Sequence, residues 1–300
     1  MRAAMLVLIA GCFDPSPTAG APCGANDTCP APLVCTLGRC VPPGTAPDDA
    51  PIDALAWASP VPLSALNTPD RDSDPAITAD GLELFFSSSR QGMGRDDIYL
   101  ATRASSASPW EPPIHLAVIA SSSSDLSVEI TGDGRQLWFQ SSRSGMGDIY
   151  TSTRDQLGMW SAPALVAEVS SPTEIEADLG VAPDGLSMII ARGELGSRVL
   201  HLATRPSLSA AWSTPAPLAA LNNAADDPSA PSLSNGASIV YFHADPTRNI
   251  YVATKTGNSY TAPVPVSEVN TDLRDACPYA PQSNDVLYFE RAGDLYVTTR

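Results

Sequence analysis

The sequence has few positive charges. Seventeen Lys and Arg residues stand against 33 Asp and Glu, so the 300-residue chain carries a formal net charge of −16 at pH 7. Nucleic acids and anionic membrane faces both need clustered cations on the protein that binds them. The composition therefore predicts no nucleic-acid partner, and a membrane association only through an attached lipid.

Long apolar runs and uninterrupted helical stretches are also lacking. The apolar run at the start, Ala3–Ala10, is far shorter than the roughly 20 residues that cross a bilayer. The 29 prolines and 20 glycines are spread along the chain and would interrupt long helices. Since 43% of the residues are hydrophobic, the chain can still bury a core, and an all-β fold is favoured.

Familiar catalytic motifs are missing as well. The sequence has no G-x-S-x-G, no H-E-x-x-H and no P-loop. Of the three histidines, His201 stands where the other repeats described below have tyrosine, which indicates a packing role, and His115 is predicted to lie at the surface. We interpret Cys277 as a small buried filler rather than a nucleophile.

The N-terminus has the features of an export signal. Met1-Arg2 precedes the apolar run, which ends in Ile9-Ala10-Gly11-Cys12. These residues resemble the lipobox of bacterial lipoproteins, and the alternative is a chance cysteine after an apolar start. The resemblance implies a signal peptide over 1–11, an acylated Cys12 and a lipid-anchored tether over 12–22. Because Phe13 stands where an inner-membrane retention signal would have Asp, we expect an exported protein anchored in the outer membrane. We also expect a monomer.

A cysteine cluster follows. In an oxidising compartment, disulfides are the expected state, and the spacing is too wide for an ordinary zinc site. We predict a small disulfide-rich knot over 23–40 and a Pro/Ala/Asp linker over 41–55. The knot resembles those near the N-terminus of myxobacterial-type lipoproteins; a protease-resistant spacer and a recognition knob are both open, as is the connectivity of Cys23, Cys29, Cys35 and Cys40.

From residue 56 onward the sequence repeats about every 50 residues. The repeat is marked by turns whose successive spacings are 53, 51, 51 and 49 residues. Each turn is followed by two alternating, β-branched and aromatic runs, and then by an aromatic residue and a Pro-bearing segment. This is the pattern of a four-stranded propeller blade. The turns are Asp80-Gly81, Asp133-Gly134, Asp184-Gly185, Asn235-Gly236 and Asn284-Asp285.

The two ends of the array predict that the ring closes. Trp57–Asn67 matches the outer-strand segment and has no blade before it, whereas the last repeat lacks that segment. We therefore predict an all-β, five-bladed β-propeller over 56–300, closed by an N-terminal outer strand that joins the C-terminal blade. The repeats resemble the TolB-type (WD-like) propeller repeat. That resemblance implies a protein of the cell envelope whose propeller binds a partner.

An acidic residue recurs nine positions before each turn, at the start of the innermost strand. Radial symmetry would bring these side chains together at one mouth of the central channel. We predict a binding site for a cation or polar ligand there, with Arg90 and Arg143 as partners and further arginines at 192 and 291. The alternative is a set of structural salt bridges that lock neighbouring blades. The five acidic residues are Asp72, Asp125, Glu176, Asp227 and Asp275.

No cofactor is predicted. Asp70–Asp74 is similar to the first half of a calcium loop, which leaves a weak possibility of Ca²⁺ at the channel mouth. However, Pro75 stands where such a loop needs glycine.

Two functions follow as hypotheses. The first is a non-enzymatic envelope lipoprotein that presents its propeller to a protein or a glycan. The second is a glycan hydrolase in which Asp72, Asp125 and Glu176 supply the acid and the carboxylate of the reaction. The uniform recurrence of the acids favours the first, since catalysis needs two groups with different pKa values.

Overall fold

The computed structural model describes Cys29 and residues 31–36, 39–41, 56–90, 92 and 94–300. It divides into two compact units, Met1–Ala54 and Leu55–Arg300. In the first unit, strands β1 (Val34–Thr36) and β2 (Arg39–Val41) form an antiparallel pair in which Cys35 lies opposite Cys40. Cys12 and Cys23 lie outside the described residues, so lipidation, the disulfides and the N-terminal segment boundaries stay predictions.

The second unit consists of five antiparallel sheets, each with a long inner strand and a two-residue outer strand. Strand β3 (Val61–Pro62) precedes the first blade. The first blade contains β4 (Asp72–Ile77), β5 (Glu83–Ser88), β6 (Asp97–Thr102) and β7 (Ile114–His115). The second contains β8 (Asp125–Ile130), β9 (Gln136–Ser141), β10 (Asp148–Thr153) and β11 (Ala164–Leu165).

The third blade contains β12 (Glu176–Val181), β13 (Ser187–Arg192), β14 (Val199–Thr204) and β15 (Ala216–Pro217), and a short helix α1 (Ala219–Asn222) follows it. The fourth contains β16 (Asp226–Ser234), β17 (Ile239–Asp245), β18 (Asn249–Thr256) and β20 (Val264–Pro265), with β19 (Ser259–Tyr260) as an extra hairpin on β18. The fifth contains β21 (Asp275–Tyr279), β22 (Val286–Arg291) and β23 (Asp294–Thr299).

The ring is closed by its two ends, as predicted. Strand β3 pairs with β23, with Val61 opposite Val297 and Pro62 opposite Tyr296. Each inner strand contacts the inner strands of both neighbouring blades, and β21 contacts β4 across the closure. The five-bladed propeller with four-stranded blades is therefore confirmed.

The turns between inner and second strands explain the repeated glycines. Gly81, Gly134 and Gly185 adopt φ of +71°, +68° and +69°, a region that favours glycine. In the fifth blade Asn284 takes the equivalent position at φ +54°. Asparagine tolerates this conformation better than most residues, so the fifth turn forms without glycine.

The core differs from the simple alternation that the sequence indicated. The second strands are buried on both faces, because each blade packs between two neighbours. They carry the largest fully buried side chains, which are Trp138, Tyr241, Phe85, Phe86, Phe139, Phe242 and Phe289.

An arginine–tryptophan stack recurs at the outer strands of four blades, and in the second blade Arg154 lies 5.4 Å from the ring centroid of Trp160. Arg103 lies 4.3 Å from the ring centroid of Trp110, and Arg205 lies 4.3 Å from that of Trp212. At the closure Arg300 makes the same contact with Trp57, at 4.4 Å. The guanidinium of Arg300 also donates to the carbonyl oxygen of Asn284. The N-terminal segment thus supplies the tryptophan that the last blade needs.

Replacing Trp57 by alanine tests the closure. Trp57 is 8% exposed, and truncating a buried tryptophan removes both packing and the contact with Arg300. We expect Trp57→Ala to lower the free energy of unfolding by about 3 kcal/mol in urea denaturation. Val61→Ala is the control, because Val61 lies in the same segment but is 58% exposed; its effect should stay below about 0.5 kcal/mol. Equal effects of the two variants would contradict the closure.

Candidate functional site

The predicted carboxylates begin the inner strands and are fully buried in four blades. Asp72 accepts hydrogen bonds from the Thr68 amide at 2.7 Å and from Arg90 at 2.5 Å. Arg90 donates in addition to the carbonyl oxygen of Leu66, at 2.6 Å. Thr68 and Leu66 belong to the segment that arrives from the preceding blade. The carboxylate and the arginine therefore clamp the connection between two blades.

The same clamp recurs around the ring. Asp125 pairs with Arg143 at 2.7 Å, and Asp275 pairs with Arg291 at 2.6 Å. Glu176 pairs with Arg192 at 2.8 Å. The corresponding backbone partners are Ser121 and Ile119, Thr271 and Val269, and Ser171 and Val169.

The arginines of the clamp come from two positions of the repeat. Arg192 and Arg291 end their second strands, directly opposite the acid. Arg90 lies two residues beyond its strand, and the hydroxyl of Ser88 bridges it to Asp72. In three blades the guanidinium also covers a pair of aromatic rings, such as Phe86 and Tyr99 at 5.0 Å each.

The fourth blade departs from this pattern. It has Pro246 at the position of the arginine in the first two blades, and its acid Asp227 is bound instead by Arg198 of the third blade. Burial opposes ionisation of Asp227, but the hydrogen bonds from Arg198 outweigh it and lower the pKa of Asp227. Arg198 lies also 3.6 Å from Asp178 and 3.7 Å from Asp245.

The geometry therefore brings each predicted acid next to an arginine rather than next to the equivalent acids of the other blades. In each ion pair both groups already have hydrogen-bond partners. This favours the structural interpretation of Asp72, Asp125, Glu176, Asp227 and Asp275 with Arg90 and Arg143, and their role as ligand contacts stays a prediction.

Two of the histidines, His201 and His115, lie on the third and fourth strands of their blades. His201 occupies the tyrosine position, opposite Ile190, and its Nδ1 is 2.9 Å from the carbonyl oxygen of Val199. His115 is half-buried against Tyr99, with its Nε2 3.6 Å from Asp97.

Removing one arginine tests the clamp. Arg143→Gln leaves the Asp125 carboxylate buried without a cation, and we expect the free energy of unfolding to fall by about 3 kcal/mol. Arg135→Gln is the matched control, because Arg135 is exposed on the opposite face. An Arg143→Gln protein as stable as the control would contradict the structural role.

The environment of Glu176 raises the pKa of its carboxyl group. Burial is the largest cause and raises the pKa of Glu176 to about 7, although the Ser171 amide and Arg192 favour the charged form. The folded protein then binds a proton between about pH 4.5 and 7 that the unfolded chain does not. Stability contributed by this group is therefore present at low pH and is lost as the pH rises through 7.

A comparison of wild type with Glu176→Gln at pH 5 and pH 8 tests this sign. Because only wild type loses this stability, the free energy of unfolding of the variant minus that of wild type should be larger by about 2 kcal/mol at pH 8 than at pH 5. Chemical denaturation at the two pH values measures it. If the variant were instead less stable relative to wild type at pH 8 than at pH 5, Arg192 would dominate the titration of Glu176.

The floor of the central channel is narrow and polar. Asp178 accepts hydrogen bonds from the hydroxyls of Ser127 and Ser229, which joins the second, third and fourth blades. Burial raises the pKa of Asp178, and it raises that of the nearby Glu129 well above the ordinary range. The space between the inner strands holds only about 20 Å³, roughly one water.

We call the face on which the inner strands begin the mouth face. The loops that join second and third strands lie there and shorten along the chain. They span 89–96, 142–147, 193–198, 246–248 and 292–293. Loops of eight, six and six residues thus give way to loops of three and two, and the mouth face is open beside the fourth and fifth blades.

A cavity of about 600 Å³ lies at this open side, between the fifth and first blades. We call it the seam cavity. It is lined by Thr68, Pro69, Asp70, Arg71, Arg274, Glu290, Ala292, Gly293 and Asp294. Its volume is in the range of small-ligand sites.

A buried carboxylate flanked by two arginines forms the inner wall of the seam cavity. Oε2 of Glu290 lies 2.8 Å from Arg71 and 3.6 Å from Arg274. Burial disfavours the charged guanidinium, but Asp74 and Glu290 outweigh it and raise the pKa of Arg71. Behind this wall the thiol of Cys277 lies 3.6 Å from Glu290, and the Cys277 amide donates to Nδ1 of His243.

Sequence reasoning missed Arg198, Arg71, Arg274 and Glu290. A signal was present for the first three. Arg71 and Arg274 directly precede the repeated acid in the first and fifth repeats, which closure makes neighbours. Arg198 replaces the Asp96 or Gly147 of earlier repeats, in the blade next to the one that lacks its own arginine. A charged residue that does not recur in the other repeats thus indicates a place where one blade differs from the rest.

Comparison with known proteins supports the fold. No family model and no curated protein matches the chain. Its structural neighbours include an α-L-arabinofuranosidase from Podospora anserina crystallised with cellotriose, at 13% identity and a TM-score of 0.54, covering 81% of this chain and 96% of that one. At this identity the similarity shows the fold alone.

Two further neighbours have TM-scores below 0.5. TolB from Acinetobacter baumannii matches at 16% identity and a TM-score of 0.46, and the match covers 79% of this chain but 56% of TolB. A gluconolactonase from Xanthomonas campestris matches at 11% identity and a TM-score of 0.48, covering 80% and 89% of the two chains. The chain thus spans little more than half of that TolB protein.

Neither a metal centre nor a membrane helix is found in the described part of the chain. No group of three or more His, Cys, Asp or Glu there is arranged to hold a metal ion. Among the same residues no helix has the length and apolarity to cross a bilayer. The weak Ca²⁺ possibility and the anchoring through Cys12 stay predictions.

Proposed function

We propose that this protein is a non-enzymatic binding module of the cell envelope that captures a protein partner or a glycan on its mouth face. The observation that carries the proposal is the broken symmetry of that face. Loops of six residues and the Arg198 network lie over the second and third blades, whereas the fourth and fifth blades have loops of three and two residues, and the seam cavity opens beside the short loop of the fifth.

Apolar side chains on the same face support a macromolecular partner. Leu195 projects from the loop of the third blade and is 71% exposed, and Leu273, directly before Arg274, is 53% exposed. Exposed apolar side chains on an otherwise polar face are a feature of protein interaction sites. The envelope location is supported by the resemblance of Ile9–Cys12 to a lipobox.

Site-specific photo-crosslinking tests this proposal. A benzophenone amino acid would replace Leu195 or Leu273 in the full chain, expressed in its source cells. Leu157 and Leu208 are matched controls, because both are exposed leucines in loops of the opposite face. We expect the two mouth-face positions to give adducts with the same envelope component, identified by mass spectrometry, and the controls to give none. Equal yields at all four positions, or no adduct at any, would count against the proposal.

The glycan-hydrolase hypothesis has one observation in its favour, the pKa of Glu176 near 7, which suits a general acid. Against it, both carboxylate oxygens of Glu176 already accept hydrogen bonds, from Ser171 and Arg192. Asp72 and Asp125 are held in the same way. Release of reducing sugar from envelope glycans, abolished by Glu176→Gln but not by Asp133→Asn in an exposed turn, would replace the binding proposal with this one.

A further inference from the structure

The seam cavity carries a more specific inference, which rests on the proposed function and names the chemistry recognised on the mouth face. The cavity is open to solvent, yet its inner wall is a buried charged group rather than apolar side chains. Such a wall requires a physical explanation, because a buried ion is costly unless its hydrogen-bonding capacity is used.

Three polar atoms of this wall have no hydrogen-bond partner among the described residues. They are Nε of Arg71, Nε of Arg274 and Oε1 of Glu290, and each atom is buried. Glu290 itself is fully buried. Native proteins rarely leave such atoms unpaired, and each instance indicates water, an ion or a ligand group. Two N–H donors and one carboxylate acceptor of the residues that line the cavity are thus left without a hydrogen bond.

Two further acids belong to the lining of the seam cavity. Asp70 is exposed and Asp294 is half-buried, and neither carboxylate has an ion-pair partner in the described part of the chain. The cavity therefore combines two arginines that pair with Glu290 and two carboxylates that lack an ion-pair partner. The two arginines and three acids give the cavity a formal charge of −1, in a chain of net charge −16.

This distribution selects among ligand classes. A phosphate or sulfate would meet the arginines but also three carboxylates, and a simple cation would meet two guanidinium groups. The lining contains no aromatic ring, so it has no platform on which a sugar ring could stack. A group that carries a carboxylate and an ammonium a few ångströms apart can pair with the arginines and with the unpaired carboxylates at the same time.

We propose that the seam cavity binds the zwitterionic end of an amino acid or short peptide. The ligand carboxylate accepts hydrogen bonds from Arg71 and Arg274, and its ammonium group is held by Asp70 and Asp294. A volume of about 600 Å³ accommodates a group the size of a dipeptide.

Blocked dipeptides provide a direct test with the purified full chain. The probes are Ala-Ala with both termini free, N-acetyl-Ala-Ala, Ala-Ala-amide and the doubly blocked peptide, titrated by calorimetry. We expect the free dipeptide to bind most tightly, with a loss of about tenfold when either terminus is blocked, because each block removes a charge-assisted contact. Equal affinity of all four probes, or no binding of the free dipeptide, would overturn the proposal.

Two variants separate the ends of the site. Arg274→Gln should weaken the free dipeptide about tenfold and make its affinity insensitive to amidation, and Asp294→Asn should do the same for acetylation. Both leave the Arg71–Glu290 pair in place, and thermal melting checks that they fold. Arg135→Gln on the opposite face should bind like wild type. A variant that weakens all probes equally would contradict the assigned orientation.

The outcome can be distinguished from failure of the proposed function. If the crosslinks at Leu195 and Leu273 form but the free dipeptide does not bind, the partner uses the mouth face without a zwitterionic group. If dipeptides bind but no crosslinks form, the cavity is a small-molecule site and the proposal of a macromolecular partner is wrong.

Discussion

The carboxylate–arginine clamp is the interaction on which the rest of the propeller depends. A blade has little core of its own, and its neighbours must be held at a fixed distance and rotation for the shared core to close. The clamp meets this need because one carboxylate binds the amide of the arriving segment, while the arginine binds that segment's carbonyl oxygen and the carboxylate together. The same three contacts, repeated in four blades, set the geometry of the ring.

The site arises where this repetition fails. The fourth blade lacks the arginine, and Arg198 crosses from the third blade to take its place. Its guanidinium also approaches Asp178, so the clamp and the channel floor become one network over the second to fourth blades. At the seam, a further arginine precedes the acid in each of the two adjacent blades, and both of these arginines are bound to Glu290 rather than to the clamp. The two-residue loop of the fifth blade lines the cavity that lies beside this group.

The sequence predicted the fold well because a repeat reports the same structural requirement five times. Even the weak fifth unit could be aligned, since Asn284 adopts the conformation that glycine supplies elsewhere. The clamp was visible as recurring acids and arginines, although the sequence did not decide between ligand contacts and ion pairs. The seam cavity could not be predicted by the same means. It consists of Arg71, Arg274 and Glu290, which do not recur in all repeats, and its two halves lie about 200 residues apart along the chain.

The location of the seam cavity also couples binding to the closure of the ring. Arg71 belongs to the segment that follows the closing strand β3, whereas Glu290 belongs to β22 of the last blade. A ligand that bridges these groups binds only when the first and fifth blades are together. Such a ligand stabilises the closed ring in proportion to the logarithm of its concentration over its dissociation constant. The seam is the place where the propeller is least constrained by chain connectivity, so a bound partner contributes most to its integrity there. A binding site at the seam thus both holds the ligand and stabilises the closed ring.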